Sequence, residues 1–280
     1  MTRRAWRRRT IVLSLFLAAA LFLWAFVLEP ASIGTKEYAI AIPNWPKACS
    51  GLRVAVLADL HVGSPFNGLS KLERIIRLTQ NARPDIVLLA GDFVIHVLGG
   101  HFVDPVEIAA RLRNISPKIG MYAVLGNHDR KLGVNRLREA FTAADIPLLE
   151  DTAEKTGSGA CSFWIGGVSD FLKGAHDVRA ALSAVPENSP VILFTHNPDV
   201  FPEIPDRVSL TIAGHTHGGQ VYIPGIGRPI VPSRFGQRFA LGHIIEQNRH
   251  LFVTPGLGTS IIPVRFLVPP EISILTLNAI

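Results

Sequence analysis

Residues 52–61, LRVAVLADLH, carry a β-branched and Leu-rich stretch of strand length straight into Asp59 and His61. Four more stretches share that design: DIVLLAGD (85–92) ends at Asp92, and MYAVLGNHD (121–129) at Asn127, His128 and Asp129. SPVILFTH (189–196) ends at His196, and SLTIAGHTH (209–217) at His215 and His217. Short apolar runs of this kind read as strands buried within a covered sheet. Polar residues directly after such strands lie at the carboxyl edge of an α/β sheet, where these folds place their active sites. A lone Asp or His in that position would be a cap or turn residue. Five endings built only from Asp, Asn and His point to a metal centre.

The donor chemistry narrows the metal. Asp59, His61, Asp92, Asn127, His196, His215 and His217 offer oxygen and nitrogen donors and no thiolate. The set is too rich for one tetrahedral ion and suits two divalent ions such as Mn, Fe or Zn. A pair of ions roughly 3.5–4 Å apart, bridged by a carboxylate, is the usual apparatus for displacement at phosphorus. Gly91, Gly126 and Gly214 precede Asp92, Asn127 and His215, and read as turn residues at positive φ that bring the ligand inward. The remaining histidines, His96, His101, His176, His243 and His250, fit no ending and are expected in surface or packing roles. Asp85 and Asp170 read as turn residues.

The blocks D-x-H, G-D, G-N-H-D, H and G-H-x-H follow one another in that order between residues 59 and 217. In this the chain resembles the calcineurin-like metallophosphoesterases. The resemblance implies a four-layer α-β-β-α sandwich of the α/β class. It implies that Asp59, His61 and His217 bind a first metal, that Asn127, His196 and His215 bind a second, and that Asp92 bridges them. His128 stands where the family has a non-ligand histidine that stabilises the transition state or protonates the leaving oxygen, and Asp129 would hold that ring in place. A metal-bridging hydroxide would then attack phosphorus in line with the leaving group. The longer block GHTHGGQ (214–220) and the segment VYIPGIGRPIVPSRFGQRFALG (221–242) resemble one branch of the family. That branch holds small membrane-associated bacterial phosphodiesterases and UDP-2,3-diacylglucosamine pyrophosphatases. Arg228, Arg234 and Arg238 are its candidate substrate-phosphate ligands, since guanidinium groups bind phosphate bidentately.

Composition bounds the partners. The formal net charge is +6, but Arg3, Arg4, Arg7, Arg8 and Arg9 crowd the first ten residues, and without them 23 basic residues face 22 acidic ones. A nearly neutral body excludes a basic groove tracking a nucleic-acid backbone. After the arginines comes IVLSLFLAAALFLWAFVL, residues 11–28, an apolar run of 18 residues. It is short for a membrane span and long for a signal-peptide core, and no small-x-small cleavage pattern follows. We read it as an uncleaved anchor in the cytoplasmic membrane; the alternative is an export signal, with the mature enzyme free or wall-bound. The positive-inside rule puts residues 1–10 in the cytosol and the catalytic domain outside. That topology argues against a UDP-linked precursor, which is met on the cytosolic face. Cys49 and Cys161 could pair in an oxidising compartment or remain buried thiols.

Residues 29–50, with three prolines, read as a tether, and residues 51–280 as the catalytic domain, long enough to bury one full core. Helices are expected over residues 69–83, 104–114 and 134–144, the second opened by Asp104 as N-cap and Pro105. After residue 217 short strands are expected at 220–223, 239–245, 250–254 and 272–277, forming a second sheet packed on the first. The expected activity is hydrolysis of a phosphodiester or pyrophosphate bond, on a membrane-associated or lipid-linked substrate. The rivals are a phosphomonoesterase or nucleotide hydrolase acting on a soluble substrate, and a metal-binding scaffold without catalysis. A scaffold is expected to have lost ligands, and this chain keeps all seven.

Overall fold

In a computed structural model, which describes residues 3–95 and 99–280, two β-sheets lie face to face with helices on both outer sides. His96 lies outside the described residues. The first sheet contains β1 (Gly34–Ile42), β2 (Leu52–Leu57), β3 (Ile86–Ala90), β4 (Gly120–Val124) and β11 (Glu271–Ala279), in the order β1-β11-β2-β3-β4. The second contains β5 (Thr152–Ser158), β6 (Cys161–Val168), β7 (Val191–Thr195), β8 (Leu210–Ala213), β9 (Gly242–Glu246) and β10 (Arg249–Val253), in the order β5-β6-β7-β8-β10-β9.

Strand periodicity builds the layers, because successive side chains point to opposite faces. Ala55 and Leu57 of β2 and Val87 and Leu89 of β3 face out, against Leu72, Ile75 and Ile76 of helix Leu69–Asn81, Ile108 and Leu112 of helix Pro105–Leu112, and Phe141 of helix Val134–Ala143. Val54, Val56, Ile86 and Leu88 face in and meet Phe163, Ile165, Ile192, Phe194 and Ile212 of the second sheet. The outer face of that sheet, with Val191, Leu193 and Val253, is covered by Val178, Leu182, Val200 and Phe201. This is the α-β-β-α sandwich, and the central strands β2, β3, β7 and β8 are buried on both faces as their apolar runs require.

Several boundaries differ from expectation. The supposed tether is structural: β1 pairs in parallel with β11 along its whole length, from Gly34 against Glu271 to Ile42 against Ala279. Its sequence GTKEYAIAI alternates toward its end and has no ligand to flag it. The segment from Glu29, which is buried, is therefore part of the folded body. Residues 272–277 join the first sheet, not the second, because β11 fits between β1 and β2. The segment 220–223 forms only isolated bridges, Val221 to Phe266 and Ile223 to Gly227. The β5–β6 hairpin and the short helix Asn127–Leu132 had no expectation.

Cys49 and Cys161 are joined in a disulfide between the segment before β2 and the start of β6. The link tethers the two sheets and closes a separation of 112 residues. Restricting an unfolded chain over such a loop is worth about 2–4 kcal/mol. Cys161→Ser is expected to lower unfolding stability by about that amount. Its urea midpoint should no longer respond to reductant, whereas that of the native chain should fall when reduced. An equal response of both chains to reductant would show that the bond contributes nothing.

An apolar helix runs from Arg3 to Ala31 and is long and apolar enough to cross a membrane. None of residues 3–23 is buried. Its end is fastened to the domain: Glu29 accepts hydrogen bonds from Trp24 Nε1 (2.6 Å), Leu267 N (3.0 Å) and Val268 N (2.6 Å). The Arg265 N–H donates to the Ala25 carbonyl at 2.9 Å, and Lys71 Nζ to that of Pro30 at 2.7 Å.

Candidate metal centre

The carboxyl ends of β2, β3 and β4 in one sheet and of β7 and β8 in the other converge on a single point. Main-chain bonds lock the convergence. The Asp59 N–H donates to Gly91 O (2.9 Å), that of His61 to Asp92 O (2.9 Å), and that of Gly258 to Asp59 O (2.7 Å). Across the sheets, His196 Nδ1 lies 2.9 Å from Ala90 O and the His215 N–H donates to Asp59 Oδ2 at 3.0 Å.

Two groups of donors result. Asp59, His61 and His217 form one, and Asp92, His196 and His215 the other, with ligand atoms within 4.8 Å of one another in each. Asn127 joins the second through Oδ1, 3.2 Å from His196 Nε2. The carbonyl of Ala90 can only accept, so the proton sits on His196 Nδ1 and Nε2 is left as a lone-pair donor; Val94 O, at 3.4 Å from His61 Nδ1, orients that ring in the same way. His61 Nε2 and His217 Nε2 are then 3.2 Å apart, and Asp92 Oδ2 lies 3.7 Å from His61 Nε2 and 3.3 Å from His196 Nε2.

Three observations fit a pair of cations to these donors. Among the described residues, Asp59 Oδ1 is buried without a hydrogen-bond partner, and such an atom is rare unless something else satisfies it. Burial holds the His61 ring at about 4, His215 at about 3 and His217 well below the ordinary value, so all three are neutral lone-pair donors near pH 7. Burial also pushes the Asp59 carboxyl up to about 7, a desolvation cost that a neighbouring cation offsets. Burial works against charge at Asp92 and His196 too, but their mutual attraction outweighs it: the carboxyl lies well below its usual range and the imidazole well above. A metal ion bound there would take the place of that imidazolium proton.

The backbone supplies the third observation. Asp59, His61, Asp92, His215 and His217 all have positive φ, between 41° and 67°. Left-handed conformation costs a non-glycine residue about 1–3 kcal/mol, and it concentrates where function over-determines geometry. The glycines divide differently from expectation. Gly91 has φ +83°, but Gly126 and Gly214 are not left-handed. They are small because a Cβ on Gly126 would strike the Asp92 carboxylate, and one on Gly214 would meet Ala58 Cβ at 2.5 Å and Asp59 Oδ2 at 2.8 Å.

His128 is half-buried, with its ring centroid 5.1 Å from that of His61 and its N–H donating to Asp92 Oδ1 at 2.8 Å. Asp129 does something else than orient it. Its carboxylate accepts from four backbone N–H groups, Asp92 (2.8 Å), Gly126 (2.9 Å), Phe93 (2.8 Å) and Val94 (3.2 Å), which uses its four lone-pair sites. Asp129 clamps the loop after β3 to that after β4. The expectation that it holds the His128 ring is corrected on that ground.

The donors floor a cavity of about 520 Å³, walled by Pro229, Ile230, Pro232, Ile261, Ile262 and Val264. Arg234 and Arg238 are engaged away from it. The Arg234 guanidinium stacks on Phe171 at 4.4 Å, and that of Arg238 forms a fork with Glu246 at 2.8 and 2.6 Å. Arg228 donates to Gly218 O at 2.6 Å and lies over Tyr222, beside the cavity. The basic side chain that does line the wall is Lys131, four residues after Asn127 in the same short helix, a spacing that puts both on one face.

Arg265 was also not foreseen. It is fully buried and donates to the carbonyls of Pro255 (2.9 Å), Gly256 (3.3 Å), Gly258 (2.6 Å) and Val268 (2.9 Å). The loop it shapes lies directly on Asp59, where a Cβ at Gly256 would sit 2.7 Å from Oδ2. An arginine inside an acid-free apolar stretch, IPVRFLVPP (262–270), is the signal that marks it.

Comparison with known proteins shows the family. Residues 52–219 match the family model described as calcineurin-like phosphoesterase. The chain is 27% identical to the metallophosphoesterase YkuE of Bacillus subtilis over 91% of its own length and 89% of that protein's. It is 31% identical to phosphodiesterase YaeI of Escherichia coli over 80% of its length and 82% of the relative's. A transmembrane protein with metallophosphoesterase domain from Danio rerio is 27% identical, with 96% of this chain aligned to 63% of that one.

Proposed function

The chain belongs to the calcineurin-like phosphoesterase family of metal-dependent phosphoric ester hydrolases, and we propose that it hydrolyses a phosphodiester or pyrophosphate bond in a lipid-linked substrate. Asp59, His61 and His217 hold one divalent cation, Asn127, His196 and His215 the other, with Mn, Fe or Zn fitting the donors. The observation that carries this reading is the place of Asp92, whose single oxygen Oδ2 lies 3.7 Å from His61 Nε2 in one group and 3.3 Å from His196 Nε2 in the other. When bound, the cations supply charge neutralisation at the phosphoryl oxygens and a water deprotonated near neutral pH as nucleophile.

The chain's own residues do the rest. His128, whose backbone N–H is held by Asp92 Oδ1, delivers a proton from its ring to the leaving oxygen or stabilises the charge growing there. Lys131 offers a point charge to a non-bridging oxygen. The apolar wall supports a diester over a monoester, because it receives a second ester substituent without leaving polar groups unpaired. The name of the relative YaeI, a phosphodiesterase, supports the same choice. The apolar helix supports attachment to the cytoplasmic membrane, and the arginines before it support a cytosolic amino terminus. The Cys49–Cys161 disulfide favours a catalytic domain in an oxidising, extracytoplasmic compartment.

The test is hydrolysis of bis-p-nitrophenyl and mono-p-nitrophenyl phosphate by the full chain in detergent, with Mn, Zn or chelator, alongside elemental analysis. We expect cleavage that needs metal and favours the diester. A rate indifferent to chelator would refute the metal mechanism, and a preference for the monoester would refute the diester reading.

A further inference from the structure

The wall of the cavity continues outward into a rim of exposed aliphatic residues. Ile226 is 70% exposed, Ile230 77%, Ile261 82%, Ile262 53% and Leu267 50%. Single exposed apolar residues need no explanation, but contiguous patches of branched aliphatics mark an interaction surface. These residues come from two segments joined by bonds between Tyr222 N and Phe266 O and between Gln220 and Ser260. Neither segment is acidic: no Asp or Glu occurs from residue 207 to 245 or from 247 to 270.

What covers the rim is set by its fastening to the helix. The Arg265 N–H bonds to the carbonyl of Ala25, which lies inside the apolar run of residues 11–28, and Leu267 N bonds to Glu29. Ala25 is three residues before the end of that run, about 5 Å down the helix axis from Leu28 at 1.5 Å per residue. The loop that carries Ile261, Ile262 and Leu267 is thereby held at the level of the last turn of the membrane span. Trp24, 47% exposed at the same level, has the amphipathic character of an interfacial anchor.

We infer that this rim, Ile226, Ile230, Ile261, Ile262 and Leu267, sits in the interfacial layer of the bilayer that the helix crosses. The mouth of the metal cavity then opens at the acyl–headgroup boundary, and a lipid phosphoester enters sideways from the leaflet without crossing water. The placement of the rim rests on the helix as a membrane span, and the lipid route rests in addition on the proposed function.

Full-length chain carrying Ile226→Cys or Leu267→Cys, neither of which lines the cavity, is labelled with an environment-sensitive fluorophore and placed in lipid nanodiscs. Asn188→Cys, in the exposed turn that leads into the opposite end of β7, serves as the reference. We expect both rim labels to shift to the blue and to lose most of their emission to lipids doxyl-labelled near the headgroup. The depth should be roughly 5–10 Å below the boundary, and the reference label should respond to neither. Rim labels that behave like the reference in a chain that has entered the disc overturn the rim alone. A blue shift without lipid quenching overturns it in favour of a protein partner or second copy, and a chain that stays out of the disc overturns the span and the rim together. Unchanged hydrolysis of bis-p-nitrophenyl phosphate by both variants certifies their fold.

Discussion

Asp92→Ala is expected to abolish turnover and to strip metal from the site. The substitution removes Oδ2, which is within 3.7 Å of the ligand atoms of both donor groups, so neither cation keeps its full set. It also removes Oδ1, the acceptor for the His128 N–H. An orphaned buried donor costs about 1–3 kcal/mol, so some loss of stability accompanies the loss of metal. Asp92→Asn separates the two effects, because the amide oxygen still accepts from His128 while the negative charge is gone. Elemental analysis and the rate on bis-p-nitrophenyl phosphate are measured on both variants, with circular dichroism as the fold control. Both metals at full stoichiometry with an undiminished rate would sink the shared-carboxylate assignment.

His128→Ala is expected to keep both metals and to lose about 10²–10⁴-fold in kcat, the usual worth of a positioned acid or base. Its ring belongs to neither donor group, yet it faces the cavity and stands beside His61. The leaving group discriminates its two candidate roles. A nitrophenolate departs without a proton, so a general acid costs little there and much on an alkyl diester. A charge stabiliser costs similar amounts on both. A metal-free variant would instead make His128 a ligand and overturn the assignment.

The donor residues were legible because each is tied to its strand within a few positions. In LRVAVLADLH and SLTIAGHTH the apolar run, the turn and the ligand are one local statement, and the structure brings all seven donors to one place. Helices were equally legible: Asp104 caps Pro105–Leu112 by accepting from Val106 N at 3.0 Å, as its sequence implies. The tether was misread because β1 is an edge strand, whose GTKE half is exposed and carries no periodic signal. Asp129 was misread because adjacency to His128 in the chain says nothing of where a carboxylate turns. Four N–H groups from two loops claim it.

The sequence by itself determined which residues are candidate donors, that they offer oxygen and nitrogen and no thiolate, and that a long apolar helix precedes the domain, since these follow from side-chain type and short spacing. Only the tertiary structure decided that three donor-bearing strands lie in one sheet and two in the other, meeting at their carboxyl edges. It likewise decided that Arg265 shapes the loop against Asp59, and that Glu29 fastens the helix to Leu267 and Val268, more than two hundred residues away. The reason is physical. In these long-range contacts side chains bind backbone amides and carbonyls, which are the same at nearly every residue and leave no mark in the sequence of the segment that supplies them.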